Sequence, residues 1–193
     1  AKNDRNPETR VDNYKEWGRL GGWTSSSGRG WANLSNAPFR MYKRYTHEGG
    51  VATPLIVHWP AGLKSQGELR HAPSHIIDIA PTCLSAAGLL VKGMEGKSLL
   101  PVFVRDSKEE RTLYWEHEGN RAVRKGNYKL VAMHDAPWEL YDMNKDRSEL
   151  NDLSKKMMGK AKELRLLYEA WAKRVGALSW NEVMVTRKKK IKK

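Results

Sequence analysis

The residues best suited to chemistry form one group near the middle of the first half of the chain. This group contains a lysine, a glutamate and two glycines, and an apolar run follows it. Lys43 lies five residues before Glu48-Gly49-Gly50, which lead into Val51 to Trp59 (VATPLIVHW). This run is short, continuous and contains β-branched residues, which predicts a strand buried on both faces of a parallel or mixed sheet. Ligands bind at strand ends in such sheets, and a lysine offers an oxyanion one compact cation with three donors. Lys43 is therefore a candidate anion-binding residue, although composition alone favours an ordinary surface lysine.

Two of the six histidines are candidates for contact with a substrate. His47 directly precedes Glu48, and His117 lies in the run Trp115 to Gly119 (WEHEG). An imidazole can donate a proton or a hydrogen bond near neutral pH, but a structural hydrogen-bonding role is the alternative for both. The other histidines lack metal-ligand spacing, and the single cysteine cannot complete a cysteine zinc site or an intramolecular disulfide. We predict no metal site in this chain.

Strand and helix patterns supply the elements that would position these side chains. A broad apolar stripe predicts helix over 74–87, where Pro81 implies a kink or a break into two short helices. A later helix, from Asn151 or Ser154 to about Val175, has an apolar face that needs a sheet to cover it. Turn signals between short apolar segments predict that sheet, with antiparallel strands at Thr112 to His117, Arg121 to Arg124, Tyr128 to Met133 and Trp138 to Tyr141.

The two ends of the chain are polar. Residues 1–40 are rich in Gly, Ser and Asn and predict a long loop. Of the formal net charge of +13, six positive charges lie in the last seven residues, Arg187 to Lys193. We predict a solvated, disordered tail over 181–193. The alternative is that this tail makes the chain a basic, non-catalytic module that binds polyanions, such as nucleic acid or sulfated glycans.

Composition excludes several classes of protein. The 193 residues are 39% hydrophobic and include eight tryptophans, too many large apolar groups for a wholly disordered chain. No apolar run approaches the length of a membrane-spanning helix, and the first 20 residues lack the apolar core of a signal peptide. The sequence has no helix-turn-helix, RNA-binding aromatic signature or zinc finger, so it does not point to nucleic acid as a partner.

Several motifs, taken in order, resemble the C-terminal part of the type I, formylglycine-dependent sulfatases, in their bacterial arylsulfatase branch. The first is Lys43 with Glu48-Gly49-Gly50, the apolar run and Trp59-Pro60. Five further matches follow it in the family's order and extend the similarity over roughly residues 28 to 155: Asp78 to Thr82 (DIAPT), Gly96 to Pro101 (GKSLLP), Glu116 to Arg124 (EHEGNRAVR), Lys129 to Val131 (KLV) and Trp138 to Asp142 (WELYD).

This resemblance implies a sulfuric ester hydrolase with the alkaline phosphatase-like fold, an α/β class. Its cofactors would be calcium and a formylglycine whose hydrated form attacks sulfur. Lys43 would be the catalytic residue that binds the sulfate group and stabilises developing charge. His117 would lie near the substrate cleft, and His47 is the other substrate-binding candidate. The substrate would be an aryl or carbohydrate sulfate, and family members are commonly periplasmic or secreted, although no signal is visible in this chain.

The sequence also departs from the family pattern. The family nucleophile lies in C-x-P-S-R, whereas Cys83 is followed by Leu84-Ser85-Ala86, so we predict a small buried side chain there. The paired metal-binding aspartates are missing, and Asp12-Asn13 has no apolar strand before it. We therefore expect a C-terminal portion that is inactive without an N-terminal catalytic partner. Its predicted parts are the end of the catalytic domain and its mixed sheet (1–105), a subdomain of four-stranded antiparallel sheet plus helix (106–180) and the basic tail (181–193).

Overall fold

The computed structural model describes residues 28–64, 67–107 and 110–191, with side chains up to Arg187. Six α-helices and four strands lie in these ranges. The helices are α1 (Gly28–Asn36), α2 (Glu48–Val51), α3 (Ile79–Ala86), α4 (Leu100–Val104), α5 (Met158–Val175) and α6 (Trp180–Ile191). The strands are β1 (Thr112–His117), β2 (Asn120–Lys125), β3 (Tyr128–Ala132) and β4 (Glu139–Asp142). No helix in the described ranges is long and apolar enough to cross a membrane.

The four strands form the predicted antiparallel sheet, in the order β1-β2-β3-β4. Glu118 and Gly119 connect β1 to β2 with positive φ angles of 52° and 82°, the conformation of a tight hairpin turn whose twist matches that of the strands. This sheet and the helix that follows it confirm the mixed α/β architecture expected from the sequence.

Helix α5 covers one face of the sheet. Leu164 and Tyr168 of α5 pack on three buried strand residues, Val123, Leu130 and Leu140. At the edge, the rings of Tyr114 and Trp171 stack with centroids 5.0 Å apart. Each fully buried side chain of this size contributes on the order of 1.5–3 kcal/mol, so this cluster is the main apolar core of the described chain.

Residues of the sulfatase-like motifs join the helix at 74–87 to the segment after it. The buried Asp78 carboxylate accepts bidentate hydrogen bonds from Arg111 at 2.7 and 2.9 Å, and one from the Lys97 N–H at 2.9 Å. Burial alone would raise the pKa of Asp78, but these hydrogen bonds outweigh it and lower the pKa. A Cβ on Gly96 would lie 2.0 Å from the Ile77 carbonyl oxygen, so only glycine fits there. These residues therefore have structural roles.

The same helix breaks into two as Pro81 implied. A 3-10 turn at Ile76–Asp78 precedes α3, and Pro81 occupies the first turn of α3, where a missing N–H costs no helical hydrogen bond. Cys83 was predicted to be buried, and this is wrong, because no described residue covers the side of α3 that carries Cys83 and the thiol is exposed.

The predicted strand at Val51 to Trp59 is absent from the structure. Val51 ends α2, and residues 52–59 have no regular secondary structure and pair with no strand among the described residues. Leu55 and Ile56 are 50% and 89% exposed. An extended segment becomes a strand only beside another strand, and the described residues supply no neighbour for it. The segment thus presents an apolar edge to solvent.

Both predicted irregular ends contain a helix within the described residues. α1 lies inside the expected loop of residues 1–40, of which 1–27 fall outside the described ranges. α6 occupies most of the expected disordered tail, so that prediction is wrong over residues 181–191. The Ser179 N–H donates to the Glu182 carboxylate at 2.8 Å, and the Glu182 N–H donates to the Ser179 hydroxyl at 3.3 Å. This reciprocal capping starts the helix despite the run of like charges that follows.

Candidate functional site

Lys43 lies in an exposed turn over residues 42–45, which is closed by a 3.1 Å hydrogen bond from the Tyr45 N–H to the Tyr42 carbonyl. Met41 and Arg44, on either side, have positive φ angles of 67° and 89°. Such angles are unfavourable for residues with side chains and persist only where the surroundings impose them. The Lys43 turn is therefore held in its shape by its neighbours.

The glycine pair at 49–50 is the nearest of these neighbours. The Gly49 N–H donates to the Arg40 carbonyl at 2.9 Å. A Cβ on Gly49 would lie 2.1 Å from the Met41 oxygen, and a Cβ on Gly50 would lie 2.0 Å from the Tyr45 oxygen. Real side chains do not tolerate such distances, so the glycines allow the Lys43 turn to close against α2.

Gly50→Ala is expected to lower the free energy of unfolding by about 1–3 kcal/mol, the usual cost of forcing extra volume into a packed site. The clashing atoms are backbone oxygens, which cannot rotate away. Urea denaturation of dilute chain followed by circular dichroism measures the change. Gly159→Ala is the matched control, since nothing lies within 4 Å of a Cβ there and α5 should gain up to about 1 kcal/mol. Equal stability of the Gly50 variant and wild type would show that the turn yields easily.

A polar cluster attaches the segment before the glycines to β4. Glu139 accepts a hydrogen bond from Arg40 Nη1 at 2.9 Å and one from the Tyr141 hydroxyl at 2.7 Å. His47 Nε2 lies 3.2 Å from the same Glu139 oxygen, and the His47 side chain is 0% exposed. Burial would raise the pKa of Glu139, but the three partners together lower it to about 2. Glu139 is thus an ionised anchor for residues on both sides of Lys43.

This anchor should make stability depend on pH. The folded-state pKa of Glu139 lies below its ordinary value of 4.5, so its contribution is present above that value and disappears as the pH falls towards 2. Allowing for partial solvent exposure, we expect Glu139→Gln to reduce the loss of stability between pH 5 and pH 2 by about 1–2 kcal/mol. Denaturant titrations at several pH values measure it. An identical pH profile for the variant would contradict the assignment.

A second polar cluster lies under Glu48. The Lys129 ammonium group is fully buried on β3, 2.9 Å from Glu48 Oε1 and 2.8 Å from Glu149 Oε1. The Glu48 N–H donates to the other Glu149 oxygen at 2.8 Å, and Arg147 contacts Glu48 from the exposed side. The conformation of the Glu48-Gly49-Gly50 segment therefore depends on a buried charged group in the sheet.

Asn120, at the start of β2, brings the Lys43 turn to the end of β1. Its side-chain amide donates to the Arg44 carbonyl at 3.1 Å and to the His117 carbonyl at 3.0 Å. Arg44 Nε also donates to the Glu118 carboxylate at 2.7 Å. One amide group thus joins the backbone next to Lys43 to the backbone of His117, so these two candidate residues belong to the same region of the surface.

The three predicted site residues have different environments. Lys43 and His117 are exposed, and their neighbourhood is shared. His47 is buried against Glu139, which favours the structural alternative for that histidine. Asn120, Lys129 and Glu139 lie in the motifs of the family resemblance, but the sequence did not predict that they support the site. One weak signal was present for Lys129, because it stands at an inward position among the apolar residues of β3.

Comparison with known proteins identifies the family. Residues 39–172 match a family model described as N-sulphoglucosamine sulphohydrolase, C-terminal. The chain belongs to the sulfatase family. Its Lys43 turn, both polar clusters, the sheet and most of α5 lie inside the matched region.

Curated sulfatases from several kingdoms are similar to this chain. An uncharacterized sulfatase of Schizosaccharomyces pombe is 32% identical over 160 residues, which are 72% of this chain and 29% of that protein. The N-acetylglucosamine-6-O-sulfatase of Bacteroides thetaiotaomicron is 32% identical over 145 residues, 66% of this chain and 26% of that enzyme. This sulfatase chain therefore spans less than a third of the length of these relatives. Because they include a fungal and a bacterial protein, assignment to the bacterial branch stays a prediction.

A solved structure has the same fold. The crystal structure of Ps i-CgsB matches with a TM-score of 0.64 and 26% identity, over 72% of this sulfatase chain and 34% of that protein. A second crystal structure of Ps i-CgsB, in complex with k-i-k-neocarrahexaose, matches equally well.

Proposed function

We propose that this chain is the C-terminal portion of a sulfuric ester hydrolase, in which Lys43 binds the sulfate group of the substrate. One observation carries the proposal. Of the three cationic residues at 40–44, Arg40 is bonded to Glu139 and Arg44 to Glu118, whereas Lys43 has no carboxylate partner among the described residues. A preformed turn thus presents one uncompensated ammonium group to solvent.

An ammonium group held in this way suits the chemistry of sulfate ester cleavage. Negative charge builds up on the sulfate oxygens and the leaving oxygen as the S–O bond breaks, and a fixed cation lowers the energy of that state. Because neighbouring residues already impose the strained turn, little reorganisation is needed when the substrate binds. His117, exposed beside the Lys43 turn, is the proposed second contact and would donate a hydrogen bond to the substrate.

The cofactors implied by the family do not fit the described residues. No group of three His, Cys, Asp or Glu side chains in the described ranges could hold a metal ion. Cys83, the only cysteine, lies within α3 in the run IAPTCLSA rather than in C-x-P-S-R. We infer that a formylglycine and a calcium site, where the enzyme uses them, belong to an N-terminal catalytic portion.

The surface beside the Lys43 turn is suited to contact with an N-terminal catalytic portion. A cleft of about 740 Å³ is lined by most of the segment 51–57, by the strand residues Leu113, Trp115 and Arg124, and by Arg147. Leu55, Ile56 and Val57 are exposed along its edge. We propose that a strand of the catalytic domain pairs with this segment, that residues 1–105 complete that domain and that 106–180 form the C-terminal subdomain. The isolated chain is then expected to be inactive.

A chimera tests this proposal. Residues 39–193 would replace the aligned segment of the Bacteroides thetaiotaomicron N-acetylglucosamine-6-O-sulfatase. We expect the chimera to hydrolyse a sulfate ester such as 4-nitrophenyl sulfate or N-acetylglucosamine 6-sulfate. Neither the 193-residue chain nor the relative without its segment should do so. A folded chimera without activity, judged by a cooperative thermal transition, would contradict the proposal.

The names of relatives support a proposal for the substrate class. The names of two of them, N-acetylglucosamine-6-O-sulfatase and the mouse N-acetylgalactosamine-6-sulfatase, specify amino-sugar sulfates. We propose a carbohydrate sulfate as the substrate of this chain's enzyme, and a periplasmic, secreted or lysosomal location, where such esters are degraded.

A further inference from the structure

A second, smaller pocket lies on the opposite face of the sheet from His117. It has a volume of about 300 Å³, at the lower end of the range for small-molecule sites. Its walls come from the β1–β2 turn, the loop after β3, the end of α5 and the start of α6. Two aromatic side chains and four polar ones are among its lining residues: Tyr168, Trp180, Glu116, Arg121, His134 and Asp135.

Close packing of the β1–β2 turn fixes one wall of the pocket. A Cβ on Gly119 would lie 2.6 Å from the His134 ring and 3.0 Å from Trp180, so the turn is packed tightly against the pocket wall. The Gly119 N–H donates to Glu116 at 3.0 Å. Arg121 lies 4.6 Å from the centre of the Trp138 ring, which holds its guanidinium group in place.

The same turn separates this pocket from the Lys43 region. Glu118, bonded to Arg44, lies on the Lys43 side, and the next residue, Gly119, lines the pocket. The β1–β2 turn therefore borders both the Lys43 region and the pocket.

We propose that this pocket is a carbohydrate subsite, which binds an uncharged sugar ring of an oligosaccharide whose sulfate group lies at Lys43. The inference rests on the proposed function of Lys43 and extends it from a single sulfated sugar to a chain of sugars. Relatedness to Ps i-CgsB, which was solved with k-i-k-neocarrahexaose, is consistent with it.

The chemistry of the lining favours a neutral sugar over a second sulfate. The carboxylates of Glu116 and Asp135 offset the guanidinium groups of Arg121 and of Arg187, which lies 5.4 Å from the centre of the Trp180 ring, so the pocket has no excess of cations for an anion. The half-buried Trp180, beside Arg187, offers its remaining ring surface to the C–H face of a sugar, while Arg121 and Glu116 offer a donor and an acceptor to its hydroxyl groups. This combination of aromatic surface and a few polar groups is typical of sites for small polar ligands.

Binding measurements on the 193-residue chain test the proposal. The chain is tethered at low density to a surface plasmon resonance chip, and two probes are compared: N-acetylglucosamine 6-sulfate and chitotetraose carrying one terminal 6-O-sulfate. We expect tighter binding of the tetraose, and Trp180→Ala should weaken that binding about five- to tenfold. The monosaccharide should bind the Trp180 variant unchanged, which also shows that the variant is folded. Trp31→Ala is the matched control, since Trp31 is 67% exposed on α1 and lines neither site.

The outcomes separate this inference from the proposed function. Loss of tetraose affinity in both the Lys43→Ala and Trp180→Ala variants supports both proposals. An effect of Lys43→Ala alone overturns the sugar subsite and leaves the role of Lys43 intact. An effect of Trp180→Ala alone supports the subsite and contradicts the role of Lys43. Equal affinity of wild type and the Trp180 variant for the tetraose overturns the subsite in every case.

Discussion

Lys43→Ala is expected to lower kcat of the chimera about 10²- to 10³-fold, the effect usual for loss of one preorganised group that stabilises transition-state charge. The thermal midpoint should stay the same, because the Lys43 side chain is exposed and has no ion pair among the described residues. Initial rates on a sulfate ester and a thermal melt of the same preparation measure both quantities. A large loss of rate with unchanged stability is the signature of a group that acts on the substrate.

Two further variants sharpen this prediction. Lys43→Arg keeps the charge but replaces a compact ammonium group by a planar fork, so we expect it to restore only part of the rate. Lys162→Ala removes another exposed lysine, on α5, and should leave kcat and the thermal midpoint unchanged. If Lys43→Ala retained activity within about threefold of wild type, sulfate binding by Lys43 would be refuted, because a transition-state contact is worth far more.

The sequence pattern around Lys43 pointed to the paired glycines but not to the contacts that hold the Lys43 turn. The five-residue step to Glu48 and the two glycines form a local pattern, and the glycines prove necessary because two backbone oxygens lie where their side chains would be. The ion pairs of Arg40 with Glu139 and of Lys129 with Glu48 join residues more than 80 positions apart. Spacing along a sequence contains no information on such distant pairs, so the buried environment of His47 was not predictable.

The fold, too, was predicted correctly where local sequence patterns determine it and was missed where contacts between distant residues determine it. Two-residue turns join β1 to β2 and β2 to β3, six residues join β3 to β4, and each strand pairs with its neighbour in the chain, so local patterns were enough to find them. The segment Val51 to Trp59 has the composition of a central strand, but in the described chain it has no strand to pair with. The start of α6 was predictable in principle, since Ser179 and Glu182 have the spacing of a capping box, but the charge of the tail dominated the interpretation.

The buried charged cluster under Glu48 predicts the largest effect on stability. Lys129→Met should lower the free energy of unfolding by about 3–5 kcal/mol, because it leaves the carboxylates of Glu48 and Glu149 buried side by side without their shared cation. Methionine fills a similar volume, so loss of packing contributes little. Urea denaturation of dilute protein gives the change. In the chimera the variant should also lose activity, since Glu48 begins the segment that supports the Lys43 turn.

A matched control is available on the neighbouring strand. Lys125 forms a 3.0 Å ion pair with Glu163, but both side chains are about 40% exposed, so Lys125→Met should cost less than about 1 kcal/mol. A loss of similar size for Lys125→Met and Lys129→Met would contradict the importance given to burial.

The pH dependence of the Lys129 variant provides a test that packing defects do not imitate. In the wild type, burial raises the pKa of Glu48 but Lys129 and Arg147 lower it by more, so the stability it contributes is present above pH 4.5 and declines in acid. Without Lys129, burial and the neighbouring Glu149 carboxylate should raise the pKa of Glu48 in the folded state. The folded variant then binds protons more tightly than its unfolded chain, so its stability should increase from pH 7 to pH 5. Adding Glu149→Gln removes one of the two charges and should restore part of the stability at pH 7, which a simple cavity left by Lys129 would not do.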